Sequence, residues 1–312
     1  MLSSGQRPAA VPPCFPAGSL SAGGDPLVLT PEAAGWTYCG LRVIDLPPGG
    51  SRELSTGSSE VALLPLSGSF EVSGAGLDCA LAGRGNVFER VSDFAYLPVG
   101  SSARVTSQTG GRLAVPSARA TRRLPARYVP AGDVPVEIRG AGSATRQVNN
   151  FLAPEVMEAD RLMAVEVLTP AGNWSSYPPH KHDEERPGEA KLEEIYYFAF
   201  QVTAGRAGLS GSGAEFGLQR LYTADGEVDL TRAVGDGDLM LIPRGYHGPS
   251  AAPPGYDMYY LNVLAGPGTI RSMEFCDDPR HAWIRGSWTH QSLDARVPFG
   301  QARTAPATEK SP

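Results

Sequence analysis

The chain has 312 residues, with 27 Lys and Arg against 33 Asp and Glu, a formal charge of −6, four Cys and five His. A mildly acidic chain without a long basic run lacks the electrostatic footprint of a nucleic-acid or anionic-membrane binder, so a small-molecule partner is expected. Its 37 Gly and 28 Pro against a charged fraction of 19% favour turn-rich β structure, and 41% hydrophobic residues suffice for one or two cores.

Residues 1–24 are rich in Pro, Ala, Gly and Ser, carry Gln6, Arg7 and four prolines, and have no continuous apolar run. They read as a loosely ordered segment and not as a secretory signal. A first set of short apolar runs follows: Gly40–Asp45, Val61–Leu64, Ser69–Ser73 and Phe94–Leu97. Ala118–Val148, where Arg and Pro are frequent and alternation is weak, reads as a linker between a domain over 25–117 and another over 149–298. The second set is Ala164–Leu168, Glu194–Phe200, Leu218–Tyr222, Asp238–Ile242 and Asp257–Val263, and residues 299–312 read as a loose tail. Short strands bounded by Gly, Pro, Asn or Asp predict an all-β fold of sandwich or barrel type.

The two sets echo each other. Val61-Ala-Leu-Leu-Pro-Leu-Ser-Gly68 is followed by Phe94-Ala-Tyr-Leu-Pro-Val-Gly100, and Glu194-Ile-Tyr-Tyr-Phe-Ala-Phe200 by Gly237-Asp-Leu-Met-Leu-Ile-Pro-Arg-Gly245. A strand, a Gly-flanked turn and an apolar strand ending in Pro-x-Gly thus occur twice, as an internal duplication would produce. No stretch reaches the roughly 18 apolar residues of a membrane span. The spacing of Cys14, Cys39, Cys79 and Cys276 fits neither a zinc ribbon nor a disulfide framework, so four reduced thiols in a cytoplasmic protein are expected.

Three of the histidines fall in two motifs. In Ser176-Tyr-Pro-Pro-His180-Lys-His182, an extended chain puts the two imidazoles on one face about 6.6 Å apart, within reach of one ion. Further ligands must come from neighbouring strands, and Glu194 and His247, in Pro243-Arg-Gly-Tyr-His-Gly248, are the suppliers. Because adjacent strand residues face opposite ways, Glu193 is the alternative to Glu194. His180, His182, Glu194 and His247 are therefore the candidate metal ligands. The first set of strands contains no histidine, so a first domain without a metal site is expected.

With Gly and Pro at its turns, this constellation resembles the metal site of the cupin superfamily, which implies two tandem double-stranded β-helix (jelly-roll) barrels, a bicupin. Longer stretches are more specific. Phe15-Pro-Ala-Gly-Ser19, Gly35-Trp-Thr-Tyr-Cys-Gly-Leu-Arg-Val43, Arg146-Gln-Val-Asn-Asn-Phe151, Asn173 to Asp183, Leu192-Glu-Glu-Ile-Tyr-Tyr-Phe198, Pro243-Arg-Gly-Tyr-His247 and Pro254-Gly-Tyr-Asp-Met-Tyr-Tyr-Leu-Asn262 are similar to the 5-deoxy-glucuronate isomerase family of myo-inositol catabolism. The resemblance runs from about Phe15 to Trp288. It departs from many cupins in the charged, Gly- and Pro-punctuated insert Asp183–Lys191 between His182 and Glu194, a mobile surface loop or a lid.

The resemblance implies interconversion of 5-deoxy-D-glucuronate with 5-dehydro-2-deoxy-D-gluconate, an aldose–ketose shift dependent on one divalent ion. Zn²⁺ is the first choice, with Mn²⁺, Fe²⁺, Ni²⁺ or Co²⁺ also compatible with the ligands. Proton transfer and a hydride shift both stay open. Candidates for handling protons or polarising oxygen are Tyr246, Tyr259 or Tyr260, and Arg244. A bidentate Arg is the natural partner of the substrate carboxylate, which points to Arg244 and Arg146 first, then Lys181 and Arg186, although Lys181 lies between two inward histidines. A homo-oligomer is expected, since one barrel lacks a site of its own. Two other readings stand beside the isomerase: a dioxygenase on the same barrel holding Fe²⁺, and a non-catalytic sugar-acid-binding protein with a structural metal.

Overall fold

The structure is a computed structural model that describes residues 13–203, 213–268 and 270–300. Strands β1 (Cys14–Phe15), β2 (Leu27–Leu29), β3 (Cys39–Leu46), β4 (Gly50–Ser55), β5 (Ser59–Gly74), β6 (Leu77–Arg84), β7 (Phe94–Leu97), β8 (Ser102–Ser107) and β9 (Gly111–Arg119) come first. Next are β10 (Arg127–Val129), β11 (Val136–Arg139), β12 (Arg146–Leu152), β13 (Met163–Thr169), β14 (Trp174–Ser175) and β15 (His180–Lys181). The chain continues with β16 (Glu193–Val202), β17 (Phe216–Tyr222), β18 (Asp229–Gly235), β19 (Leu239–Ile242), β20 (Tyr246–Ala251), β21 (Tyr256–Ala265), β22 (Cys276–Asp277) and a short helix, α1 (Ile284–Ser287). No helix among the described residues is long and apolar enough to cross a membrane. The four cysteines are free thiols.

The order of strands carries the duplication. One sheet runs β10-β7-β5-β9-β3-β2 and another runs β1-β19-β16-β21-β13-β12-β11, so β7, β5, β9 and β3 occupy the places of β19, β16, β21 and β13. Strands β14, β15, β17, β18, β20 and β22 form a third sheet, which packs onto the second through Leu221 and Val234. The apolar runs are continuous because these strands are covered on both faces. Val61 and Leu63 of β5 face the interior of the first barrel, while Ala62, Leu64 and Leu66 join a core shared by both halves. In β16, Tyr196 and Phe198 fill the second barrel and Ile195 and Tyr197 enter the shared core.

Three expectations are corrected. Val61–Leu64 and Ser69–Ser73 are a single strand, β5, whose register shifts near Ser67 and Gly68. Gly68 sits there at φ +82° with a backbone oxygen where a Cβ would be, so only glycine lets the strand bend at this point. Residues 118–148 do not form a bare linker: β10 extends the first sheet beside β7, and β11 extends the second beside β12. Within the segment expected to be loose, residues 13–24 are fixed because β1 pairs with β19 and Asp238 Oδ1 accepts the Ala17 N–H at 2.8 Å. Residues 1–12 and 301–312 lie outside the described residues, while Phe299 at the start of the expected tail packs against Phe88 and donates its N–H to Gln147.

Two carboxylates join the halves by a reciprocal contact. Glu193 accepts the backbone N–H groups of Thr37, Tyr38 and Cys39, each at 2.8 Å. Glu60 accepts those of Asp160, Arg161 and Leu162 at 2.8, 2.6 and 2.6 Å, and the Tyr96 hydroxyl at 2.6 Å. The positions are equivalent: Glu60 lies opposite Ala118 in β5–β9, and Glu193 opposite Ala265 in β16–β21. Each carboxylate holds the chain entering the other half's strand, β13 or β3. A buried ion pair, Arg84 with Glu166, adds a third tie, completed by the Tyr259 hydroxyl at 2.9 Å and the Asn149 amide at 3.0 Å.

Glu60→Ala would leave three backbone donors without their acceptor, each costing about 1–3 kcal/mol when it stays buried. The urea midpoint should therefore fall by the equivalent of about 3 kcal/mol or more at unchanged m-value; an unshifted midpoint would remove the reciprocal contact as a stabilising element.

Candidate metal centre

The second barrel points alternate residues inward: Glu194 and Tyr196 from β16, Tyr260 and Asn262 from β21, Val165 and Val167 from β13, and Arg146, Val148 and Asn150 from β12. With His180, His182, Arg139 and Phe275 they line a cavity of about 170 Å³. Period-2 alternation thereby separates two adjacent pairs. Glu193 faces the other half while Glu194 faces the cavity, and Tyr259 bonds to Glu166 while Tyr260 faces the cavity.

His182, Glu194 and His247 converge, each offering a ligand atom within 4.8 Å of the others, and all three are buried. His182 Nε2 lies 2.9 Å from Glu194 Oε2. His247 Nε2 lies 3.1 Å from the same oxygen yet is buried without a hydrogen-bond partner among the described residues. A nitrogen aimed at a carboxylate oxygen without bonding to it has the alignment of a ligand lone pair, so the donor set fits a divalent cation. His180 stands beside this group and outside it. Its ring centroid is 4.4 Å from that of His247 and 4.6 Å from that of Phe275, and Nδ1 lies 3.2 Å from the Pro178 carbonyl. When Nδ1 donates to that carbonyl, Nε2 keeps its lone pair free.

The electrostatics agree with this donor set. Burial pushes His180 down to about 3 and His247 well below the ordinary imidazole value, so both are neutral. Burial would also lower His182, but the Glu194 carboxylate outweighs it and the net shift is upward. Burial alone would raise Glu194, but the imidazoles beside it, with the hydrogen bond from His182, outweigh that and hold it below the usual carboxylate range. Asn262, whose amide also bonds Glu194, completes the surround.

Arg146 is 5% exposed and lines the same cavity. Its Nη1 donates to the Ala144 carbonyl at 3.0 Å and its guanidinium lies 5.5 Å from the Trp288 ring centroid, while no carboxylate among the described residues pairs with it. Burial pushes it down to about 10, so it stays charged and lacks an anion. Arg139 shares the cavity but is bound by Glu137 through both oxygens, at 2.8 and 2.6 Å.

The other sequence candidates lie outside the cavity. Tyr246 neighbours His247 on β20 and therefore points the opposite way, its ring 5.6 Å from that of Tyr222. Arg244 is half-exposed and paired with Glu227 at 2.5 Å. Lys181, between the two histidines, points away from the cavity and binds Asp183 at 2.6 Å, Glu189 at 2.7 Å and Glu184 at 3.2 Å. Arg186 is half-exposed and bound to Glu189 at 2.6 Å. The insert 183–191 is thus held down by ion pairs, and Asp183 Oδ2 also accepts the Gly245 N–H at 2.6 Å, tying the His182 and His247 segments together.

The comparisons agree with this geometry. A sequence profile of the KduI/IolB family matches residues 18–284. The chain belongs to the KduI/IolB family. It is 42% identical over 276 residues to the 5-deoxy-glucuronate isomerase of Geobacillus kaustophilus, covering 88% of this chain and 95% of that protein. The crystal structure of an IolB-like protein from Salmonella typhimurium superposes with a TM-score of 0.77 at 38% identity, over 87% of this chain and 98% of that one. Oxalate decarboxylase of Lactobacillus farciminis, in its formate complex, matches at a TM-score of 0.55 and 11% identity over 80% and 82% of the two chains, a likeness of fold. The architecture of this KduI/IolB member is accordingly all-β, with tandem cupin barrels.

The residue following His247 fixes the site's floor. Gly248 has φ +101°, and a Cβ there would meet the Ser176 carbonyl oxygen at 1.8 Å, so β20 and the turn before His180 approach as only glycine allows. Gly248→Ala should lower Tm by several degrees and reduce metal bound per chain, as measured by calorimetry and elemental analysis; retention of both would show that the close approach is dispensable.

Proposed function

We propose that this protein is a metal-dependent 5-deoxy-glucuronate isomerase that interconverts 5-deoxy-D-glucuronate and 5-dehydro-2-deoxy-D-gluconate. The observation that carries the reading is the pairing, in one cavity of about 170 Å³, of a buried His/Glu donor set with a buried arginine that lacks an anion. A sugar acid with a carbonyl at one end and a carboxylate at the other matches both. The curated relative at 42% identity, spanning 88% of the chain, bears the name of this activity.

His182, Glu194 and His247, with His180 beside them, would hold the ion, and the donor set suits Zn²⁺ as well as Mn²⁺, Fe²⁺, Ni²⁺ or Co²⁺. Such an ion supplies Lewis-acid stabilisation of the charge that develops on the sugar oxygens as hydrogen moves between adjacent carbons. Arg146 offers the substrate carboxylate a charge-assisted, two-pronged partner and so fixes which end of the sugar faces Glu194. Tyr260, on the wall between them, can donate a hydrogen bond to a sugar oxygen. Its hydroxyl is held above the ordinary phenol value by burial and stays protonated. The apolar wall of Val148, Val165, Val167 and Phe275 limits water at the reacting carbons.

The decisive assay is anaerobic NMR of metal-loaded protein with 5-deoxy-D-glucuronate. Loss of the C1 signal with appearance of the ketone, abolished by EDTA and restored by Zn²⁺ or Mn²⁺, is the expected result; no conversion with any of these ions would overturn the reading. His182→Ala and His247→Ala should each leave folded protein without measurable turnover and with little bound metal, whereas most of the activity surviving either change would remove these ligands. Arg146→Ala should raise KM about 10- to 100-fold with little change in kcat, the loss of a hydrogen-bonded charge that grips ground and transition states alike. A pure kcat loss would place Arg146 at the reacting carbons instead.

A further inference from the structure

Converting an aldehyde beside a hydroxyl into a ketone beside a hydroxyl moves a hydrogen from C2 to C1 and also a proton from O2 to O1. The oxygen-to-oxygen transfer needs a group that gives one proton while taking another. The cavity wall holds such a group. Ser176 Oγ lies 2.9 Å from the Tyr196 hydroxyl and 3.1 Å from the Tyr260 hydroxyl, so three hydroxyls form a continuous hydrogen-bonded row. The two tyrosine rings stack with centroids 4.5 Å apart at 17°. All three residues line the cavity and are at least nine-tenths buried.

Ser176 itself is held at φ +45°, in the left-handed region that a residue with a Cβ enters at a cost. Packing over-determines that conformation, since the Ser176 carbonyl presses against Gly248. Glycine would satisfy the backbone without strain, so the residue present contributes its hydroxyl.

We propose that Ser176, Tyr196 and Tyr260 form a hydroxyl relay that carries the proton from O2 to O1 of the bound sugar acid, an inference that rests on the isomerase reading above. The substrate O2–H donates to one tyrosine oxygen as that tyrosine's proton passes to Ser176, the Ser176 proton to the other tyrosine, and that tyrosine's proton to O1. Every O–H bond broken is matched by one formed, and the relay ends in its starting protonation state. C2 is oxidised and C1 reduced within the substrate by the accompanying C–H transfer, which the relay does not enter. A phenol and a serine hydroxyl each carry one proton and free lone pairs, so every member of the row can give a proton while taking another.

The test uses full-length, metal-loaded protein carrying Ser176→Ala, Ser176→Gly, Tyr196→Phe, Tyr260→Phe and the double tyrosine change, with kcat and KM from the NMR assay and metal content from elemental analysis. Each single change should lower kcat about 100-fold or more while KM and bound metal stay within about twofold. The double change should be no worse than the poorer single one, because one missing hydroxyl already interrupts the row. Ser176→Gly is the folding control, since it suits the backbone and should hold or raise Tm while kcat still falls. Full activity in Ser176→Gly, or multiplicative losses in the double variant, would overturn the relay. Wild-type protein inert toward the sugar acid would overturn the isomerase reading and the relay with it, whereas active wild type with active variants overturns the relay alone.

Discussion

The reciprocal carboxylates Glu60 and Glu193 are the constraint from which the rest of the geometry follows. Each takes three backbone N–H groups from the other half, so each fixes the rotation of its own strand about its axis. A strand allows no intermediate setting: once Glu193 faces the partner half, Glu194 must face the barrel interior, followed by Tyr196 and Phe198. A slip of one residue would send Glu194 into the shared apolar core and Glu193 into the cavity. The contact that joins the halves therefore also sets the register of the metal-facing strand. Burial of three donors on each carboxylate makes this register costly to leave.

The same equivalence explains why, among the described residues, the His/Glu donor set lies in one half. Val61 occupies in β5 the position that Glu194 occupies in β16, since Val61 pairs with Leu97 as Glu194 pairs with Ile242. The first half also contains no histidine. Its interior is accordingly an uninterrupted apolar cluster, with Val61, Leu63, Phe70 and Val72 buried among one another. A well-packed barrel beside the working one contributes rigidity through the shared core, and the working barrel can then keep polar groups and a cavity in its own interior.

Much of this was legible in the sequence, and the rest depends on contacts that the local sequence does not carry. Local signals sufficed for the strands, because β-branched and aromatic runs between Gly and Pro have few alternatives, and for His180 and His182, whose spacing matches the period of an extended chain. Proximity in sequence to a ligand was a poor guide to the rest. Tyr246 and Lys181 are immediate neighbours of His247 and of both histidines, and on a strand that adjacency places them on the far face. Arg244 and Arg186 carry the right charge but are satisfied by Glu227 and Glu189. Conversely, Arg139 and Ser176 reach the cavity through cross-strand register and a left-handed turn, which one-dimensional spacing does not encode. Tyr196 and Asn262 are reached by alternation counted from Glu194 and from Tyr260, the signal in the sequence that points to them. The edge strands β1, β10 and β11 escaped notice because two- to four-residue strands gain their stability from the sheet they join.

The charges around the cavity decide how a sugar acid enters. Arg146 is a buried cation with no carboxylate of its own among the described residues, while Arg139 a strand away is neutralised by Glu137. A lone buried cation is costly, and an incoming carboxylate relieves that cost more at Arg146 than at any paired arginine. On the proposed reading Glu194 is committed with His182 and His247 to the ion, which leaves Arg146 as the buried cation in the cavity without a carboxylate among the described residues. Under that reading the carboxylate end is drawn to Arg146 and the carbonyl end is left toward the His/Glu group, with the three hydroxyls alongside. In a cavity of about 170 Å³ the molecule has little room to turn once it is inside, so selection between the two ends is made by electrostatics before any chemistry begins.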